Sequence, residues 1–182
     1  MNLRIEVKRK ISIAESEFFR KFADDNWGKH YDTPEEVKLC FFAKPDFVLV
    51  AYFKNIVVGL VNIYLREIAF NGKKLKIGGI GGMVAGKKFR HQGIATRLLE
   101  DCIKLMKKSG AKVSFLSTDI KQLGKLYRHV GFVHLNRPYF FLDKNGVERQ
   151  AEGGMISPIV SKDIYNKIFK SNEKIFVGKS DF

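Results

Sequence analysis

Apolar and charged residues alternate from Leu3 to Val7, the period-two pattern of a half-buried strand. From Ile13 the spacing lengthens. Ile13, Phe18, Phe19 and Phe22 fit one face of a helix that frays near Asp24-Asp25-Asn26. Thr33-Pro34-Glu35-Glu36 is a capping box with proline at the first helical position, so a short helix opens there, runs to about Ala43 and is ended by Pro45. Phe47–Phe53 and Ile56–Ile68 are rich in Val, Ile and aromatics and are joined at Lys54-Asn55, which predicts an antiparallel pair. Asn71-Gly72 is a strong hairpin signal, and it leads into a third strand from Lys73 to Val84.

In the second half the pattern alternates between the two periods. Ile94, Leu98, Cys102, Leu105 and Met106 make the apolar stripe of a helix that Gly110 caps. A short strand, Lys112–Leu116, follows, then a helix from about Lys121 to Val130 ended by Gly131, then a strand over Phe132–Leu142 with Asp143-Lys144-Asn145-Gly146 as its turn. Glu152-Gly153-Gly154-Met155 reads as loop into strand, Ser161–Phe169 as a short helix, and the tail has no clear period. Strands first and then alternating strands and helices predict an α/β (α+β) fold. Its core is a mixed, mostly antiparallel sheet with helices on both faces.

Length and composition narrow the picture. The 182 residues suit a single domain over 1–182, and 45% hydrophobic residues with sixteen Phe are far from a disordered composition. No apolar run approaches the roughly 20 residues of a membrane helix. Met1-Asn2-Leu3-Arg4 leads into alternating charge instead of a signal-peptide core, so the expected location is cytoplasmic, without membrane association. Cys40 falls with Val37 and Phe41, and Cys102 with Leu98 and Met106, at helical spacing; both read as small buried hydrophobes, with no metal or disulfide role. The balance of 33 basic to 19 acidic residues gives +14, which calls for an anionic partner or a solvated basic surface. Lys and Arg are scattered instead of gathered with aromatics into one stripe, which disfavours nucleic acid.

The glycine-rich run into the third helix admits two phosphate readings. Gly81-Gly82-Met83-Val84-Ala85-Gly86-Lys87-Lys88 comes within one residue of the triphosphatase loop, but Lys88 stands where a Ser or Thr hydroxyl binds magnesium. In addition, Phe89 to Gly93 intervenes before the helix begins. The second reading places the phosphates later. Arg90-His91-Gln92-Gly93-Ile94-Ala95 leaves Gly93 and Ala95 without bulk, so an anion can approach the backbone N–H groups of the helix's first turn and its positive dipole end.

That hexapeptide fits [Q/R]-x-x-G-x-[G/A], and Leu126-Tyr127-Arg128-His129-Val130-Gly131-Phe132 fits L-Y-x-x-x-G-F one strand and one helix later. With these two motifs in order, the chain resembles the GNAT superfamily of N-acetyltransferases from about Leu75 to Phe132. The resemblance implies a sheet of about six to seven strands whose parallel pair splays. It also implies acetyl-CoA as co-substrate and no metal. The pantetheine would bond the backbone at Met83, Val84 and Ala85, and the phosphates would lie over Arg90, His91, Gln92, Gly93, Ile94, Ala95 and Thr96. Tyr127 matches the position that often protonates the departing thiolate, and that role is put first; its place on the apolar face of Leu123, Leu126 and Val130 also suits a core residue with its hydroxyl bonded to backbone. The glycines of Gly78-Gly79-Ile80-Gly81-Gly82 suit a bulge or close backbone approach, and about equally a tightly packed sheet with no room for side chains there.

The general base is not identified. Gly79–Val84 carries no carboxylate where some relatives place a Glu, which leaves Glu67, Asp24, Asp25, His30, His134 or a chain of waters. Ser117-Thr118-Asp119 stands where the family often has Asn. The implied acceptor is a primary amine of a small molecule or peptide, and a homodimer is left open. Met83-Val84, Phe89–Ile94, Gly124–Tyr127, Glu152–Met155 and Asp181-Phe182 resemble aminoglycoside 2′-N-acetyltransferases, although +14 poorly suits a polycationic substrate. A non-catalytic basic module for CoA or nucleic acid is the competing class.

Overall fold

The computed structural model describes residues 2–27 and 34–182. A seven-stranded sheet runs in the order β1 (Arg4–Lys8), β2 (Phe47–Phe53), β3 (Ile56–Phe70), β4 (Lys73–Ala85), β5 (Val113–Ser117), β9 (Gly154–Pro158), β6 (Val133–His134). Every neighbouring pair is antiparallel except β4 and β5. Lys54 and Asn55, at φ 47° and 64°, and Asn71 and Gly72, at φ 50° and 68°, make the two tight hairpins of β2–β3 and β3–β4. Both expected hairpins therefore form, and β3 and β4 run slightly past the expected ends.

One face carries α3 (Ile94–Lys108) and α4 (Ile120–His129) over Leu49, Val61, Ile63 and Ile80. Ile94, Leu98, Leu99, Cys102 and Met106 of α3 are buried against them, each large side chain contributing about 1.5–3 kcal/mol of transfer free energy. The other face carries α1 (Ile13–Trp27) over Val48, Val50, Leu60 and Val84. Beside it packs a second layer of β7 (Tyr139–Leu142), β8 (Glu148–Ala151), α5 (Lys162–Lys170) and β10 (Phe176–Lys179). Three of these make a second sheet in the order β10-β7-β8, in which β10 runs parallel to β7.

The sequence reading departs from the structure in four places. α1 does not fray at Asp24 but reaches Trp27, because Asn26 ties its last turn down: Asn26 Nδ2 donates to the Phe22 carbonyl at 2.8 Å and its Oδ1 accepts from Lys87 N at 2.8 Å. α2 (Pro34–Cys40) stops short of Ala43, since the Cys40 carbonyl accepts from Ser180 Oγ and Asp181 N instead of a helical amide; Thr33 of the expected capping box lies outside the described residues. Cys40 is accordingly half-buried beside exposed Val37 and Phe41, whereas Cys102 is buried as expected. Phe132–Leu142 is not one strand. Asn136 at φ 50° turns the chain and Pro138 offers no N–H, so β6 stays on the main sheet and β7 joins the second.

Candidate functional site

β4 and β5 pair only from Ile77↔Val113 to Ile80↔Leu116. Beyond that point β4 continues to Ala85, leaving Gly81–Ala85 without a partner on the β5 side. A bulge sits at the parting: Gly81 faces Asn62 and Val84 faces Leu60, so Gly82 and Met83 together oppose Val61. Gly82 adopts φ 58°, which a side chain there would strain. The neighbouring glycines answer the other alternative, close packing. A Cβ on Gly78 would lie 2.6 Å from Met106 Sδ of α3, and one on Gly79 would lie 1.9 Å from the Phe182 ring on the opposite face. The run is thus both bulge and thin sheet.

The strand leads through a 3₁₀ turn (Lys87–Phe89) into α3. His91 at φ 60° and Gly93 at φ 79° and ψ 6° swing the chain into the helix, and Gly93 as N-cap offers no side-chain oxygen to the first-turn amides. That turn holds no acidic residue, and Lys87, Lys88, His91 and Gln92 stand exposed around it. It is a place where an anion can gain amide hydrogen bonds and dipole attraction together. Two further cations near the turn have partners within the protein: Arg90 donates to the Asn26 carbonyl, and Arg97 pairs with Asp101 at 3.3 Å. From Thr96 an open groove of about 430 Å³ runs between α3 and α4, lined by Glu100, Ile103, Lys104, His129 and Val130.

Tyr127 of α4 is buried, packs edge-on against Phe132 with ring centroids 6.2 Å apart, and turns its hydroxyl towards the Thr118 side chain. Thr118 follows the end of β5, two residues past the last β4–β5 pair, so the hydroxyl lies at the parting strands. Burial pushes the phenol up to about 12, with the Thr118 side chain opposing the shift. Asp119 caps α4 by accepting from Lys121 N and Gln122 N. The three residues thus divide their work: Asp119 caps, Thr118 lies beside the Tyr127 hydroxyl, and Ser117 beside that of Tyr139.

A β4 edge left open by its parallel neighbour, a bulge at the parting and an uncapped helix N-terminus one turn later coincide with a sequence match: residues 9–135 match the acetyltransferase (GNAT) domain family. The chain belongs to that family. Solved structures share the GNAT fold. ElaA of Escherichia coli superposes with TM-score 0.61 at 12% identity over 86% of this chain and 99% of that one. A GNAT-family acetyltransferase from Staphylococcus aureus MU50 gives 0.56 at 14%, again over 86% and 99%. A probable N-acyltransferase from Enterococcus faecalis V583 gives 0.58 at 13%, over 74% of this chain and 33% of that one. The chain spans about a third of the length of this and other larger neighbours. No curated protein matches the sequence. Membership makes acyl transfer the activity of the domain. Among the described residues, no helix is long and apolar enough to cross a membrane and no cluster of His, Cys, Asp or Glu could hold a metal.

Of the described candidate bases, Glu67 and His134 lie away from the opening of this GNAT domain. Asp24 and Asp25 are exposed on α1, and His134 pairs with Met155 on the outermost strand. Glu67 is exposed opposite Lys76, five residues and so roughly 17 Å along β4 from Gly81; His30 lies outside the described residues. A neighbour that the sequence did not signal is Trp27, whose Nε1 donates to the Met83 carbonyl at 2.9 Å across 56 positions of chain. It stands 40% exposed at the end of α1, against the open edge of β4. A lone aromatic at a helix end carries no pattern that points there.

Proposed function

We propose that this GNAT domain, acting over residues 1–182, moves an acetyl group from acetyl-CoA to a primary amine of a small molecule or peptide. The observation that carries the reading is the continuity of the unpaired β4 edge with the uncapped first turn of α3. The pantetheine amides would bond the edge at Met83, Val84 and Ala85, and the pyrophosphate would take the N–H groups from His91 to Thr96. The amine nitrogen attacks the thioester carbon, the carbon–sulfur bond breaks, and the amine's proton leaves through water. Tyr127 serves the sulfur. Full transfer of its proton to a thiolate with an ordinary pKa near 8.5 is uphill by about 5 kcal/mol from a donor near 12, so the hydroxyl acts mainly as a hydrogen-bond donor to the developing charge.

Replacing Tyr127 by Phe is therefore expected to lower kcat by about 10- to 100-fold and leave coenzyme A affinity within about twofold. Unchanged kcat would remove the hydroxyl from the mechanism. Because the phenol stays neutral from pH 10 to about 12, the Tyr127 contribution to stability is complete below pH 10 and is lost as pH rises towards 12. The reading itself is tested by thiol release from acetyl-CoA over panels of aminoglycosides, polyamines, amino acids and peptide N-termini. Heat stabilisation by coenzyme A, about 2.7 kcal/mol at 100 times its dissociation constant, supplies the binding arm. A salt-sensitive shift with RNA, and none with coenzyme A, would reverse the assignment in favour of a nucleic-acid module.

The chain has a single tryptophan, so intrinsic fluorescence reports Trp27 alone. Its indole donates to a carbonyl that the pantetheine would address. Titration with coenzyme A is expected to shift the emission saturably, with the same midpoint as the heat stabilisation. Stabilisation without any change in emission would place the ligand away from Met83.

A further inference from the structure

Direct attack needs two molecules at one opening, and this inference rests on that proposed reaction. Alternation along β4 sorts the two faces: Gly78 meets Met106 of α3, whereas Gly79 and Gly81 meet Phe182. α3, whose first turn would take the coenzyme's phosphates, and Tyr127 pack on the Gly78 face of the sheet. The acceptor therefore has to come from the side of Phe182. A Cβ on Gly81 would fall 2.5 Å from the main-chain carbonyl carbon of Phe182 and 3.3 Å from its oxygen. Gly81 is the first residue of β4 beyond the pairing with β5. The Phe182 main chain thus stands at the parting of the strands, in space that any side chain at position 81 would deny it.

Position 182 is held there from several directions. Arg66 Nη1 donates to the Val177 and Ser180 carbonyls at 2.9 and 2.8 Å, and its Nη2 to the Asp181 carbonyl at 3.1 Å. The same guanidinium lies 3.8 Å from the centre of the Phe182 ring. Asp181 Oδ1 accepts from Phe182 N at 2.9 Å, and its Oδ2 accepts from the buried Tyr139 hydroxyl at 2.7 Å. The ring itself fits between Tyr64 and Phe115, with centroids 5.8 and 5.6 Å away, above side-chain-free Gly79. A half-buried arginine and a buried carboxylate and phenol converging on one short segment fix a backbone position far more tightly than a core contact requires.

We infer that Phe182 is the acceptor-positioning residue: its main-chain carbonyl group, fixed over Gly81 by Arg66 and Asp181, accepts a hydrogen bond from the incoming amine and orients it towards the thioester. The ring is the anchor and the carbonyl the contact. This assigns to a main-chain group a place that no carboxylate of β4 fills.

The test is steady-state kinetics of the full chain with acetyl-CoA and the best amine of the panels, for Gly81→Ala, Phe182→Ala and Phe182→Tyr. Gly81→Ala keeps the ring but lifts the carbonyl, so it decides the matter even if Phe182→Ala fails to fold. The acceptor KM is expected to rise about tenfold or more for Gly81→Ala and Phe182→Ala, while the KM for acetyl-CoA stays within about twofold, and Phe182→Tyr restores the acceptor KM. An unmoved acceptor KM, or a parallel rise in both constants, overturns the inference with the reaction intact. Thiol release with no amine and no stabilisation by coenzyme A sinks the proposed reaction, and the inference with it.

Discussion

Gly93→Asp is expected to weaken coenzyme A binding by about 100-fold, or about 2.7 kcal/mol, while changing unfolding free energy by only about 1 kcal/mol. The two effects separate because Gly93 combines two properties. At φ 79° and ψ 6° it holds a left-handed conformation that Asp tolerates better than most residues, and a Cβ there meets nothing within 4 Å. The fold therefore objects only through backbone strain, which a carboxylate at a helix N-terminus partly offsets. The ligand objects through charge: the new carboxylate stands on the amides that the pyrophosphate needs. Gly93→Ala, which keeps the strain and omits the charge, is expected to lose only about tenfold. Calorimetric titration with coenzyme A and urea unfolding of both variants make the comparison; equal affinity in Gly93→Asp and the parent would take the phosphates away from α3.

The second large effect is expected at Gly153→Ala, which should cost about 3 kcal/mol of stability and lower Tm by about 6–12 °C. Gly153 adopts φ 80°, and a Cβ on it would lie 2.4 Å from the Thr118 carbonyl oxygen, a main-chain atom that cannot swing aside. The Gly153 carbonyl also accepts from Thr118 N at 3.2 Å, so the two loops are locked together. Thr118 in turn lies beside the Tyr127 hydroxyl. Turnover should fall with stability, and in a Tyr127→Phe background most of that extra loss in turnover should vanish, since both changes act on one hydroxyl. A stability change under about 0.5 kcal/mol in urea would show that the loops yield freely.

How much of this was legible follows from how local each feature is. The β2–β3 and β3–β4 hairpins, the stripe of α3 and the stop at Gly110 are written in residues within a turn of one another, and they form where the pattern places them. The glycine run presented two alternatives because both are true of it: Gly82 makes the bulge, while Gly78 and Gly79 thin the sheet for Met106 and Phe182. What the pattern hid depends on distant partners. Phe132–Leu142 alternates like a single strand, yet Arg137 donates to the carbonyls at the end of α5, which no local rule anticipates, and the chain changes sheets there. Tyr127 read as site ahead of core, and its hydroxyl lies beside the Thr118 side chain, which no local pattern announces. Trp27 against Met83 and Phe182 over Gly81 were invisible for the same reason.

The hydrogen bond from Ser180 Oγ to the Cys40 carbonyl, 2.9 Å long, joins residues 140 positions apart. Contacts of such separation form late, since a long loop must lose its freedom before any stabilisation is returned. The β2–β3–β4 hairpins and the crossover through α3 to β5 join neighbours in sequence, but the segment against Gly79 and Gly81 docks only after α2, β3 and β7 are in place to receive it. In refolding, protection of the β3–β4 amides should therefore precede that of the Ser180–Phe182 amides, and between the two events the chain would pass through a species with a formed sheet and an uncovered β4 surface.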